Sequence, residues 1–378
     1  MPFLKKSRNT RRACVTCLIW GCLVTLPEWG SAQINSPDAD AVFESQALFE
    51  SNTAGYHCFR IPSLVTTPDG IILAFCEARR DSCRDHADVD LVMRRSLDGG
   101  RTWSNLTVLF NDDEHTIGNP CPVVDQRTGT IWLPFCRNNR SILMTSSEDA
   151  GLTWSEPVDI TSVAKKKEWH WVGTGPGHGI QLQSGRLLIP SWADETPQLG
   201  QRQTSYVFYS DDSGQTWSVG GALTSNQSDE CEVVELHDGT VYMNARSRQN
   251  QKKRAVAISR DGGLSWSPIT FDPLLPEPSC QGAVVRFMHR TPSQTSSLVL
   301  VFPRNPNARQ NLTAHLSNDE GLTWVLRRPI YAGPAAYSDL TVNADQQILC
   351  LFEKDNYSSL SLVRFNLCWI TESRENKK

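Results

Sequence analysis

One octet recurs five times along this chain: SLDGGRTW at Ser96–Trp103, SEDAGLTW at Ser147–Trp154, SDDSGQTW at Ser210–Trp217, SRDGGLSW at Ser259–Trp266 and SNDEGLTW at Ser317–Trp324. The shared pattern is S-x-D-x-G-x-[TS]-W, and successive starts lie 51, 63, 49 and 58 residues apart. A fixed core at irregular spacing marks a repeated supersecondary unit whose loops vary in length. The segments between octets read as strands. Leu64–Thr67 and Ile71–Cys76 flank Asp69-Gly70, Ile180–Gln183 and Leu187–Pro190 flank Ser184-Gly185, and Glu232–Leu236 and Thr240–Asn244 flank Asp238-Gly239. Such dipeptides between short apolar runs are hairpin signals. Similar pairs surround Arg127–Gly129, Thr291–Ser297 and Ala344-Asp345, which makes six hairpins. A third strand leads into the octet, as at Asp90–Arg95, Val207–Tyr209 and Val256–Ile258, and the last unit ends in Ser359–Ile370 without one. Six units of three or four strands predict an all-β fold, a six-bladed β-propeller. Within an octet the aspartate suits turn N–H groups, the glycine a positive φ, and the tryptophan the gap between sheets. Those are structural jobs, so any chemistry belongs to residues that occur once.

The formal net charge is −4, and after the N-terminus the basic runs are as short as Lys165–Lys167 and Lys252–Arg254. Nucleic acid is therefore not an expected partner. Lys5, Lys6, Arg8, Arg11 and Arg12 precede an apolar run at Ala13–Leu26 and small residues at 30–32. This order predicts a secretory signal peptide over residues 1–32, with an uncleaved N-terminal anchor as the competing reading. Residues 33–378 are then one extracytoplasmic propeller domain, with no later segment suited to span a membrane. Of twelve cysteines, Cys14, Cys17 and Cys22 fall inside the leader and nine remain. An odd number over a large domain specifies no disulfide framework, though Cys76 and Cys83 are near enough in sequence to pair in an oxidising compartment. Asn-x-Ser/Thr sequons stand at Asn105, Asn139, Asn226, Asn311 and Asn356.

Several chemistries fail on their residues. His57, His86, His170 and His178 occur without HExxH or Cys/His ligand spacing, so neither a metal nor a cofactor is expected. GTGPGHG at 173–179 holds a proline and opens no helix, unlike a phosphate cradle. The G-x-S-x-G elbow of α/β-hydrolases is missing.

The octets match the Asp-box found in sialidases and in several unrelated propellers. More specific are FRIP at Phe59–Pro62, AFCEARRDSCRDHADVDLVMRRS at 74–96, GPGHGIQL at 175–182, DECEVVEL at 229–236 with NARS at 244–247, and AAYSDLT at 335–341. In this order, framed by five boxes, they resemble the exo-α-sialidases from about Arg60 onward. The resemblance implies hydrolysis of terminal α-ketosidically linked sialic acids, with a sialylated glycan as partner. A sialoglycan-binding propeller without catalysis and a trans-sialidase are the alternatives.

Sialic acid carries a carboxylate on its anomeric carbon, and planar guanidinium groups clamp such an anion. The resemblance carries an arginine triad onto Arg60, Arg246 and Arg309, with Arg304 as a nearby rival to Arg309, and a further substrate-side arginine onto Arg79. A carboxylate nucleophile would be repelled by the substrate's own charge, and sialidases use tyrosine. Tyr337 matches that nucleophile, with Tyr331 as its decoy, and Glu230 matches the base that a phenol requires. Strand alternation puts Glu230 and Glu232 on one face; Glu235 is a third candidate. The family pattern selects Glu230. Asp85 matches the acid/base, where residue type alone leaves Asp81, Asp85, Asp88 and Asp90 open. Glu353 is expected to buttress Arg60 and Asn119 to line the sugar pocket.

Overall fold

The computed structural model describes residues 40–288 and 296–372. The expected signal peptide and most of the Thr291–Ser297 turn lie outside the described residues. Among the described residues almost all regular structure is antiparallel β, and the two helices, Thr161–Ala164 and Leu367–Thr371, are four and five residues long.

Cys58–Thr66, Ile72–Arg79, Val89–Ser96 and Thr107–Phe110 pair in chain order as one sheet. Ser228–Glu235, Val241–Ser247, Lys253–Ser259 and Thr270–Pro276 form another of the same plan. Between them in sequence lie two five-stranded sheets, in each of which the first strand is broken into two short pieces against Ile131–Arg137 or Leu187–Asp194. Every position of Ile72–Arg79 and of Leu187–Asp194 is buried, as for strands covered on both faces by neighbouring sheets.

The last six strands, joined by the first strand of the chain, form a single seven-stranded sheet rather than separate units. The cause is Leu326–Val342, which pairs through its first part with Gln310–Ser317 and through its second with Ile348–Lys354. The outer edge of this sheet is Phe43–Glu50, paired with Ser359–Phe365 from Phe43↔Phe365 to Glu50↔Ser359. Sequence reading missed that closing strand and ran the final one on to Ile370. The strand instead stops at Phe365, because the Asn366 side chain caps a short helix by accepting from the Trp369 amide.

Each octet serine ends a third strand, and the octet staples the turn that follows. In the second one, Ser147 Oγ donates to Asp149 Oδ1 at 2.8 Å and accepts from Gly151 N at 2.8 Å, while Thr153 Oγ1 donates to Asp149 Oδ2 at 2.6 Å. These bonds, led by those from Thr153, hold the Asp149 carboxyl down to about 2. The serine and threonine are therefore as much part of the staple as the aspartate. The glycines do more than supply positive φ. A Cβ on Gly100, Gly151, Gly214, Gly263 or Gly321 would meet Leu349, Leu73, Trp132, Leu188 or Tyr242 at 2.4, 2.3, 2.1, 2.9 and 3.2 Å. Each of those neighbours sits on the second strand of the preceding sheet, and Leu349, met by the first octet, sits in the last one. The contacts close into a ring, which makes the fold a β-propeller.

The Cys76–Cys83 pairing that sequence proximity allowed is not formed: Cys83 bonds to Cys58, with the Cα atoms 5.4 Å apart, and Cys76 is a buried thiol. Cys76 packs with Leu349 and Leu351 of the neighbouring sheet. Cys58 lies opposite Arg79, where the loop containing Cys83 departs. The sequon at Asn139 is closed in the folded chain, since its buried amide donates to Asn119 Oδ1 and Val172 O.

Gly151 has φ +81° and abuts Leu73, whereas Gly129 has φ +79° and no neighbour within 4 Å of an added Cβ. Both alanine variants bear the cost of a left-handed Cβ, about 1–2 kcal/mol, and Gly151→Ala adds an overpacking cost of about 1–3 kcal/mol. Urea midpoints should therefore fall distinctly further for Gly151→Ala; equal shifts would count against the sheet-to-sheet role.

Candidate active site

The innermost strands begin at one end of the ring, and that end gathers the charged residues. Arg60 sits where Cys58–Thr66 shifts register, and Ile61 beside it holds φ +57°, a left-handed position that costs a β-branched residue strain. Glu353, on Ile348–Lys354, fastens this kink. Its carboxylate accepts from Arg60 Nε at 2.9 Å, Arg60 Nη2 at 3.3 Å, Ile61 N at 3.1 Å and Tyr337 N at 3.2 Å. Arg60 Nη1 is left facing the pocket, where it donates to Asp85 Oδ1 at 2.8 Å.

Arg79 is anchored by Glu77, to which its Nε donates at 3.0 Å, and its Nη1 reaches Asp85 Oδ1 at 3.0 Å. Asp85 lies on the loop between Ile72–Arg79 and Val89–Ser96, with its side chain 72 % exposed. What burial it has opposes its charge, but Arg60 and Arg79 outweigh this and hold the carboxyl below the usual carboxylate range. Across the pocket, Tyr337 Oη donates to Glu230 Oε1 at 2.5 Å and accepts from Arg246 Nη1 at 3.0 Å. Arg246 Nη1 also donates to Glu230 Oε2 at 2.8 Å. Burial and the Glu230 charge raise the Tyr337 phenol well above its ordinary value, while Arg246 and Arg309 pull the other way. Arg309 places its guanidinium carbon 5.3 Å from the Tyr337 ring centre and donates to Ser279 O at 3.1 Å.

A cavity of about 380 Å³ is lined by Arg60, Arg79, Asp85, Asn119, Glu230, Arg246, Arg309 and Tyr337 together. Glu353 stands behind Arg60. The rivals lie elsewhere. Tyr331 bonds Asp355 outside the pocket, and Arg304 does not line it. Glu232 shares the inward face with Glu230 but sits deeper, accepting from Gln281 Nε2 and Val284 N, and Glu235 accepts from Gln183 N. Asp90 is buried against Tyr56 and Arg80, and Asp88 pairs with Arg80.

Sequence reading overlooked several wall residues. Glu77 and Arg248 stand two positions from Arg79 and Arg246, so period-two alternation could have found them. Asp229, nearly fully buried, pairs with both Arg246 and Arg248. Tyr357 stacks its ring 4.2 Å from the Arg60 guanidinium carbon and comes from a run of left-handed residues, Asp355–Tyr357, that carries no sequence signal.

A larger cavity, about 810 Å³, opens at the far ends of the same inner strands, lined by residues such as Val65, Val124, Val234 and Val342, with Arg286 as its one arginine among the described residues. Among the described residues it lacks a guanidinium cluster like that of the smaller cavity. Among the described residues, His178, Glu232 and Asp339 come within metal-ligating distance of one another. Their carboxylates are already taken up, however, by the Val284, Leu64 and Leu340 amides, by Gln281 and by His178.

The arrangement thus offers a cationic cradle for an anion, a buried phenol hydrogen-bonded to a carboxylate, and a carboxyl on a rim loop. The family model described as BNR repeat-like domain matches residues 70–350. A sialidase of Micromonospora viridifaciens is 29% identical over 98% of this chain and 61% of its own length. Sialidase-3 of Mus musculus is 30% identical over 85% of this chain and 94% of its own. Among solved structures, a Hadza microbial sialidase superposes with a TM-score of 0.79 at 25% identity, covering 86% of this chain and 69% of that one. The chain spans about three fifths of the length of the Micromonospora relative and of human sialidase-4. With a match that runs through most of the propeller and a mouse relative aligned nearly end to end, the chain belongs to the sialidase family of BNR repeat-like β-propellers.

Proposed function

We propose that the protein is an exo-α-sialidase that releases terminal sialic acids from glycoproteins, glycolipids or oligosaccharides with retention at the anomeric carbon. The observation that carries this reading is the 2.5 Å bond from Tyr337 to Glu230 inside a pocket of arginines. Arg60, Arg246 and Arg309 receive the substrate carboxylate, with Arg79 and Asn119 against the sugar. Tyr337 Oη attacks C2 as Glu230 Oε1 takes its proton, and Asp85 protonates the departing glycosidic oxygen. Water then attacks C2 of the tyrosyl intermediate with Asp85 as base, and Glu230 returns the proton to Tyr337. The raised phenol explains why Glu230 is needed: free phenolate is scarce, so proton and bond must move together.

We further read Leu326–Val342 as joining two blades, which makes six, and residues 33–378 as one domain exported by the leader at 1–32. The Cys58–Cys83 disulfide favours an oxidising compartment. Fractionation should find the protein outside the cytoplasm with its N-terminus near residue 33; a cytoplasmic, full-length product would overturn this.

Tyr337→Phe should lower kcat for a fluorogenic sialoside by on the order of 10⁴-fold while leaving binding of an unreactive sialic acid analogue largely intact. Full turnover in that variant would sink the mechanism.

The pH dependence follows from Asp85. Arg60 and Arg79 depress it in the free enzyme, and the substrate carboxylate neutralises the larger of these charges, that of Arg60, so the Asp85 pKa rises on binding. A general acid works only while protonated, so activity falls as pH rises through that pKa. The alkaline limb of kcat, which reports the complex, should therefore lie above the alkaline limb of kcat/KM. Asp85→Asn should lose it, and coincident limbs in the unaltered enzyme would contradict the assignment.

A further inference from the structure

The loop that bears Asp85 is irregular from Arg80 to Asp88, between the strands Ile72–Arg79 and Val89–Ser96. The Asp85 carboxylate is held by Arg60 Nη1 at 2.8 Å and Arg79 Nη1 at 3.0 Å, both on Oδ1. Of these two donors, Arg60 Nη1 is the one an incoming carboxylate engages, and Arg79 Nη1 faces the incoming sugar. An acid must also give up its ion pairs to carry a proton. The contacts that hold Asp85 at rest are thus the ones lost at the moment it is required.

What remains lies in the loop itself. Downstream of Asp85, Ala87 exchanges hydrogen bonds with Thr116 Oγ1 at 3.0 and 2.8 Å, and Asp88 and Asp90 pair back to Arg80 at the start of the loop. Upstream the fixed point is Cys83, two residues before Asp85, bonded to Cys58, two residues before Arg60. Cys58 is fully buried at the head of its strand. Besides that bond, Cys83 is held by its carbonyl, which accepts from Arg79 Nη1 at 2.6 Å, and Arg79 is itself a substrate-side group. Arg80, at the start of the loop, is tied to His57 and Asp88 by backbone bonds; between it and Asp85 the covalent link is the restraint that substrate binding leaves untouched.

We propose that the Cys58–Cys83 disulfide positions the general acid, keeping Asp85 over the leaving oxygen after the arginines turn to the substrate. The cysteines are positioning residues, and the inference rests on Asp85 being the acid. Reduction by a small dithiol transfers two electrons and two protons to the bond, giving two thiols and the oxidised cyclic disulfide of the reagent. The other described cysteines are unpaired, and all but Cys368 are buried.

The test compares a 4-nitrophenyl sialoside, whose leaving group needs little protonation, with an alkyl sialoside such as a sialylated lactose, which needs it fully. The enzyme with Cys58→Ala and Cys83→Ala together should lose about 10- to 100-fold more kcat on the alkyl substrate than on the aryl one, with little change in KM. The unaltered enzyme reduced by dithiothreitol, with its thiols counted, should reproduce that split and recover on reoxidation. Equal losses on both substrates, or none, would overturn the proposal. If the double variant does not fold, the reduced enzyme decides; if the bond resists the dithiol, the double variant decides. Asp85→Asn separates the two levels. If it shows no leaving-group dependence, the assignment of the acid fails. If it shows the dependence and the cysteine changes do not, the positioning role alone fails.

Discussion

A pocket that receives an anion must hold positive charge before the anion arrives, and fixed carboxylates beside buried guanidinium groups offset the cost of burying that charge. Leaving one uncompensated costs about 3–5 kcal/mol, far more than the 0–1 kcal/mol of a surface pair. Arg60 has Glu353, Arg79 has Glu77, and Arg246 has Asp229 and Glu230. The same carboxylates tie backbone amides: Glu353 holds Ile61 and Tyr337, and Glu77 holds Asn119. Charge neutralisation and the spacing of neighbouring sheets are thus one problem with one set of residues. Shifting a sheet would misplace a charge, and removing a charge would loosen a sheet.

The two kinds of residue are kept apart along the strands. Octets hold the outer turns, where their aspartates are satisfied locally and their glycines touch the sheet before. The inner strands bring Arg60, Glu230 and Tyr337 to one end of the ring and apolar valines to the other. This separation lets turn loops vary in length between units while the charged end stays fixed.

Much of this was legible because its signals are local. Hairpin turns, the ends of third strands and the blade period all follow from short patterns, and the once-only residues follow from motifs in a set order. Three features were not legible, for different reasons. The strand Phe43–Glu50 carries no octet, and its partner lies at Ser359–Phe365, beyond any local window. The Cys58–Cys83 bond joins residues that only the Cys58↔Arg79 register brings near. Tyr357 reaches Arg60 through consecutive left-handed residues, a conformation that Asp355-Asn356-Tyr357 does not announce. Glu77 and Arg248 were within reach of simple alternation, since each stands two places from a recognised arginine on the same strand or its end.

The pairing of Phe43 with Phe365 has a consequence for how the molecule is made. Contacts of such high sequence separation raise contact order and slow folding. During synthesis the first sheet can assemble early, yet its octet leans on Leu349, which emerges from the ribosome some 250 residues later. Until then Phe43–Glu50 is a strand without a partner, able to pair with another chain. Nascent copies on one messenger are therefore exposed to exchange of this strand, and the ring becomes safe from its neighbours only when it closes on itself.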